Sequence, residues 1–192
     1  MGQYYKPINM DKKEFVYSHD YGNGLKLMEH SWIGNDFVGV VEDLIAEGGK
    51  WFGDRIVWAG DYADEEKNRK NNLYSIIGDH DKNKITPDVS KNKYRYVLNM
   101  DTKEFVDTKK IPLSDVYTDD KGKEWPYTIH PLPLLTCEGN NRGGGDFRKD
   151  DHIVGTWARC RVSVSNRKPK GYTEKNFNLF EGAYPKKLKE KV

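Results

Sequence analysis

A chain of 192 residues is long enough to bury a core of its own, yet this one is polar, with 36% apolar residues, 32% charged residues and a mean hydropathy of −0.89. Disorder is excluded by 7 Phe, 5 Trp and 12 Tyr spread along the chain, because disordered segments are depleted in aromatics. A net charge of +2 is too near balance for a dedicated nucleic-acid binder. From Ser165 onward, though, eight Lys and Arg face three Glu, which reads as a solvated basic tail.

The N-terminal "MGQYYKPINM" has no apolar signal core, and no apolar run approaches membrane length. Gly2 does not begin a myristoylation motif, because Lys6 stands where Ser or Thr is needed. Cys137 and Cys160 form neither a C-x-x-C pair nor a disulfide framework. A cytoplasmic protein without membrane contact is expected.

Tyr4–Ser18 reads as strand, turn, strand, and Tyr94–Thr108 repeats it ninety residues later, sharing Asn-Met-Asp-x-Lys-Glu-Phe-Val. Duplication and convergence both stay open; since the similarity stops at the hairpin, convergent hairpins are the expectation. "NDFVGVVEDLIAEGG" predicts a helix capped by Asn35 and ended by Gly48, with Phe37, Val40, Val41, Leu44 and Ile45 on one face. Arg55–Ala59 predicts a strand running into a turn at Gly60-Asp61, and a weaker helix is expected over about 64–77. Gly78–Lys93 reads as a polar loop, and Ser114–Thr128 as irregular chain. Strands are expected over about 134–137 and 154–164, with mostly coil after Asn166. These elements make about seven strands and two helices: an α+β domain over 1–166, with a largely antiparallel or mixed sheet and helices on one face, followed by the tail 167–192.

The chemistry concentrates in polar connections. In "GNNRGGGD", Asn140, Asn141, Arg142, Gly143, Gly144, Gly145 and Asp146 suit an anion nest, because glycines reach the positive φ that turns successive N–H groups inward and Arg142 adds a fork of donors. The stretch is neither a P-loop nor a dinucleotide fingerprint. His30, Ser31, Trp32 and Asn35 stand where the first helix begins, a second place for an anion. Trp58 at the strand end suits base stacking. His19, His30, Asp61 and Asp146 are the candidates for acid/base work. His19-Asp20, Glu29-His30 and Asp79-His80-Asp81 are adjacent residues that point to opposite faces of an extended chain, so no metal site is expected, nor any cofactor.

"MGQYYKP", "YSHDYGNGLKLMEHSWIGNDFV", "RIVWAGDYAD" and "HPLPLLTCEGNNRGGGDF…VGTW" together resemble a family of small bacteriophage and prophage accessory proteins without assigned function. The resemblance covers most of the chain, weakens across residues 68–120 and the tail, and carries no catalytic residues. It implies expression in bacterial cytoplasm and an anti-defence role. Three functions stay open: binding of a small anionic, nucleotide-like ligand, which leads; degradation of such a phosphoester signal; and inhibition of a host immune protein. Homo-oligomers fit each of them, and specific nucleic-acid recognition fits none.

Overall fold

The computed structural model describes residues 3–89, 91–118, 121–139 and 153–178. In chain order the elements are β1 (Tyr5–Asn9), β2 (Glu14–Phe15), α1 (Asp36–Ile45), β3 (Ile56–Gly60), α2 (Leu73–Ile76), β4 (Tyr96–Asn99), β5 (Glu104–Asp107), β6 (Asp115–Thr118), β7 (Glu124–Tyr127), α3 (Pro131–Thr136), β8 (Cys137–Glu138), β9 (Val162–Ser165) and β10 (Thr173–Glu174). They form an α+β fold with two four-stranded sheets, ordered β2-β1-β3-β8 and β10-β5-β4-β9, and a separate β6-β7 hairpin. Both large sheets are mixed, since β3–β8 and β5–β10 are parallel and the other pairings antiparallel.

Side-chain alternation on β3 explains the layering. Ile56 and Trp58 enter the main core with α1, α3 and the inner face of the second sheet, while Val57 and Ala59 join Ile8, Phe15, Leu73, Tyr74 and Ile77 on the other face. The first sheet therefore carries α1 and α3 on one side and α2 on the opposite side, not helices on one face alone. Lys6 secures α2: its ammonium donates to Gly78 O at 2.5 Å and lies 4.1 Å from the Tyr74 ring centre.

Several expected elements change. The strand expected near 134–137 is mostly the buried helix α3, because His130 Nδ1 accepts the Leu132 N–H at 3.1 Å and Pro131 supplies a preset first-turn φ. The helix over 64–77 shrinks to Leu73–Ile76, since Asp64 to Asn71 contains a single apolar-free run and Asn68 sits at φ 63°. Ser114–Thr128 contains the β6–β7 hairpin rather than irregular chain. The strand expected over 154–164 begins only at Val162, because Gly155 and Arg159 take left-handed conformations. Past Asn166 the chain still packs: β10 pairs with β5, and Phe177 is buried in the main core.

The hairpin repeat extends further in space than in sequence. Asn9 Oδ1 accepts from the N–H groups of Asp11 and Lys12, and Asn99 Oδ1 accepts from those of Asp101 and Thr102. Lys13 and Lys103 follow at φ 56° and 55°. In each half a third strand pairs antiparallel with the first in the same register, Asn9 opposite Ile56 and Asn99 opposite Val162. Asp11 accepts from Arg55 as Asp101 accepts from Arg161, and Glu14 accepts the Trp51 indole N–H as Glu104 accepts that of Trp157. Each half thus closes with the same clamp, carried by Trp51-x-x-x-Arg55 and Trp157-x-x-x-Arg161.

Two departures from the repeat are informative. Asn9 Nδ2 donates to Asp54 at 2.8 Å, but Cys160 stands at the position matching Asp54, and the buried Asn99 Nδ2 finds no partner among the described residues. Gly53, at φ 81°, is matched by Arg159, at φ 65°, a conformation that strains a residue with a Cβ. Arg159 holds it through charge-assisted bonds: Nε and Nη2 donate to Glu138 at 2.6 Å each, and Nη1 and Nη2 donate to Glu66. Those bonds raise the guanidinium pKa above its ordinary value, Glu138 contributing most. Both Arg159→Gly and Arg159→Ala delete them, but glycine adopts the left-handed backbone freely. In urea unfolding, Arg159→Gly is expected to be more stable than Arg159→Ala by about 1 kcal/mol; equal stabilities would show that the strain is absent.

Candidate functional site

The parallel pair β3–β8 ends with both strands at one edge of the first sheet, Gly60 on β3 and Gly139 just past β8. Gln3, two residues before β1, lies between them. Its Oε1 accepts the Tyr5 hydroxyl at 2.7 Å. A Cβ on Gly139 would stand 2.6 Å from Gln3 Oε1 and 2.9 Å from Tyr5 Oη, and a Cβ on Gly60 would collide with Gln3 Nε2 and stand 2.8 Å from Glu138 O. At Gly60 the Glu138 carbonyl is a rigid obstacle to any side chain, and at both glycines the Gln3 amide packs directly against the backbone. Gln3 is 2% exposed, and its Nε2 has no hydrogen-bond partner among the described residues. A buried donor left unsatisfied costs about 1–3 kcal/mol, so Gln3 Nε2 is a costly group to leave without a partner.

The rim of this edge is fixed. Asp61 Oδ1 accepts the Tyr4 N–H at 3.0 Å, and Asn72 donates to the carbonyls of Asp61 and Ala63. On the other side Arg159 ties Glu138, at the end of β8, to Glu66. Asp61 thus caps a strand and pairs with no histidine among the described residues. The glycine-rich stretch begins directly after Gly139; Asn140, Asn141, Arg142, Gly143, Gly144, Gly145 and Asp146 lie outside the described residues.

His30 and Trp58 do meet, as part of the core. Trp58 Nε1 donates to His30 Nε2 at 3.1 Å, which fixes the hydrogen on Nδ1, and Nδ1 donates to Gly24 O at 3.1 Å. Both residues are fully buried, with Phe37 edge-on to the imidazole at 5.0 Å. Burial holds the His30 pKa down to about 4, against smaller upward pulls from the Gly24 hydrogen bond and Glu29. Both ring nitrogens are spent inside the protein, so His30 has no nitrogen for a substrate, and Trp58 has no exposed face for a base. Ser31 is buried and donates to Leu27 O at 2.5 Å; Trp32 is half-buried and bridges to Ile129. His19 is exposed beside Tyr17, apart from Asp61.

Asn35 acts as a cap, accepting the Val38 N–H at 3.2 Å, and donates to Asn23 Oδ1 at 2.7 Å. It also borders a cavity of about 240 Å³ lined by the first turns of α1, by Lys91–Tyr94, and by Glu42 and His130. His130 Nε2 lies 3.0 Å from Glu42 Oε1, and its Nδ1 accepts from Leu132, so the imidazole donates to the carboxylate and caps α3. Sequence reasoning missed this buried pair, as it missed Gln3; the only local sign of the latter was Gly60 and Gly139 at two strand ends. Among the described residues no three His, Cys, Asp or Glu cluster as a metal site, and no helix is long and apolar enough to cross a membrane.

No family model, curated protein or solved structure matches the chain.

His30 gives a pH signature. Its folded-state pKa lies below the ordinary 6.5, so the unfolded chain takes up the proton first. The stabilising contribution is complete above about pH 6.5 and is lost as pH falls toward 4, roughly 3 kcal/mol in all. Chemical unfolding across that window should show a steep loss in the wild type and a shallower one in His30→Gln; parallel curves would contradict the buried neutral histidine.

Proposed function

We propose that this protein binds a small anionic, nucleotide-like ligand at the carboxyl ends of β3 and β8 and does not transform it. The observation that carries the reading is the Gln3 Nε2 donor, buried, without a partner among the described residues and seated between Gly60 and Gly139. Two features support it. The carboxyl ends of parallel strands leave backbone groups unpaired at an edge, as in other sheet proteins that bind ligands there. The glycine-rich stretch that suits an anion nest, with Arg142 and the Asn140-Asn141 pair, continues the chain from that same edge. Binding is favoured over turnover because the candidate acid/base residues within the described structure are engaged or apart: His30 is locked in the core, Asp61 caps β1 and His19 is on the surface.

The resemblance to phage accessory proteins supplies a biological setting, sequestration of a nucleotide immune signal in the bacterial cytoplasm. A protein-directed role has one observation of its own: Trp125 on the β6–β7 hairpin is 47% exposed, and tryptophan is the type of side chain that anchors protein interfaces.

Mass spectrometry of the small molecules released on denaturing protein purified from bacterial cells separates these readings. Wild-type protein is expected to release an intact nucleotide-like anion in near-stoichiometric amount, and Gln3→Glu, which keeps the shape and the acceptor for the Tyr5 hydroxyl and removes the donor, to release at least tenfold less. An empty wild type that also shows no thermal shift with a nucleotide panel would overturn the reading and leave the Trp125 surface as the functional one.

A further inference from the structure

A second feature lies on the outer face of the second sheet and is independent of the ligand proposed above. A cleft of about 350 Å³ has a floor of Leu98, Met100 and Ser163–Ser165 and walls formed by Phe52 and by Arg167, Lys168, Lys170 and Tyr172. The outer face of β4 is apolar, with Tyr96 and Leu98 packed on Phe105 and Tyr172. Phe52, from the connection between α1 and β3, is 42% exposed at the rim.

The charge around the cleft is uneven. Arg55, Arg95, Arg159 and Arg161 each pair with a carboxylate, whereas Arg167, Lys168 and Lys170 form no ion pair with any described residue. Three unneutralised cations stand within four residues, opposed in the lining only by Glu47. A near-neutral whole chain hides this, because charge acts locally over about a Debye length, roughly 8–10 Å.

We propose that this cleft binds single-stranded nucleic acid without sequence preference, the cations following the phosphates and Phe52, with the apolar wall beside it, stacking on a base. The donor chemistry favours a polymer over a single nucleotide. All three cations are exposed, and the cleft offers no buried donor converging on one phosphate. Exposed cations act as a track for a polyanion, and exposed aromatics act as stacking platforms for any base. A polyanionic peptide would satisfy the lysines and leave Phe52 unused.

The test is fluorescence anisotropy of the full chain with a labelled oligodeoxythymidylate and an oligouridylate of about 20 nucleotides each, at about 50 and 200 mM salt. Three neutralised phosphates predict a log–log salt slope near −2, so affinity should fall roughly twentyfold between those salts. Combined Arg167→Gln, Lys168→Gln and Lys170→Gln should weaken binding at least tenfold and flatten the slope, while Phe52→Ala should weaken it about fivefold or more and leave the slope unchanged. Thermal melts check that these surface variants fold. Equal binding of the two oligomers supports recognition of the shared phosphate-and-base chemistry, and preference for one assigns the cleft to DNA or to RNA. The proposal is overturned if wild type does not bind at the lower salt, if the triple variant binds as wild type does, if ATP competes as well as the oligomer, or if polyglutamate of equal charge does.

Discussion

The clamp that closes each half of the molecule sets the position of everything else. In the first half, Asp11 takes the backbone N–H and guanidinium of Arg55, and Glu14 takes the Trp51 indole, so the chain entering β3 is held at both ends of a short turn against the β1–β2 hairpin. This fixes the β1–β3 register. A slip of one residue would exchange Trp58, which fills the core, with Val57, which faces α2. It would also move Gly60 away from Gln3 and carry β8 with it, because β3 is the strand that β8 pairs with among the described residues. The orphan donor at the strand ends is therefore a consequence of the clamp and cannot be shifted independently of the core.

The second half repeats the clamp and departs from it at two positions, one of which reaches the end of β8 through its side chain. Arg159 replaces a glycine in a left-handed position, and Cys160 replaces the aspartate that would satisfy Asn99. Both departures cost stability locally. The first is offset by bonds to Glu138 and Glu66, which fasten the end of β8 to the loop following Asp61. Arg159 thus accepts backbone strain and keeps its charge in use, tying two carboxylates together. His30 makes the opposite choice: a titratable group buried as a neutral hydrogen-bonding bridge, spending its chemistry on the packing of Trp58 and Phe37.

Much of the fold was legible because its signals are local. Asn35 with the apolar spacing of Phe37 to Ile45 gave α1, and Asn-Met-Asp gave both hairpin turns, whose acceptor is the Asn side chain itself. The third strand of each repeat was legible as a strand, at 55–59 and, drawn too long, at 154–164, but not as part of the repeat, because its marks, a Trp and an Arg four residues later, recur at a spacing different from that of the hairpins and mean nothing until the carboxylates they meet are known. α3 was misread because a short apolar run with two prolines has the same composition as a buried strand, and only the cap from His130 decides between them. At the site, Gly60 and Asp61 were visible as a strand end, but Gln3 was not: an amide near the start of the chain acquires its role only when β1 is inserted between β2 and β3. His30 and Trp58 stood out as polar or stacking residues in a glycine-punctuated segment, and burial gave them to the core.

The central claim is that the Gln3 amide at the ends of β3 and β8 is a ligand donor, and its side-chain NH₂ resonances report on that directly. Heteronuclear NMR spectra of the protein as purified, and again after its small molecules are stripped by reversible unfolding, should show the Gln3 side-chain pair and the Gly60 and Gly139 amides moving together, while the Trp51 and Trp157 indole signals stay in place. Gln3 signals unchanged between the two states, with shifts appearing elsewhere, would contradict the assignment.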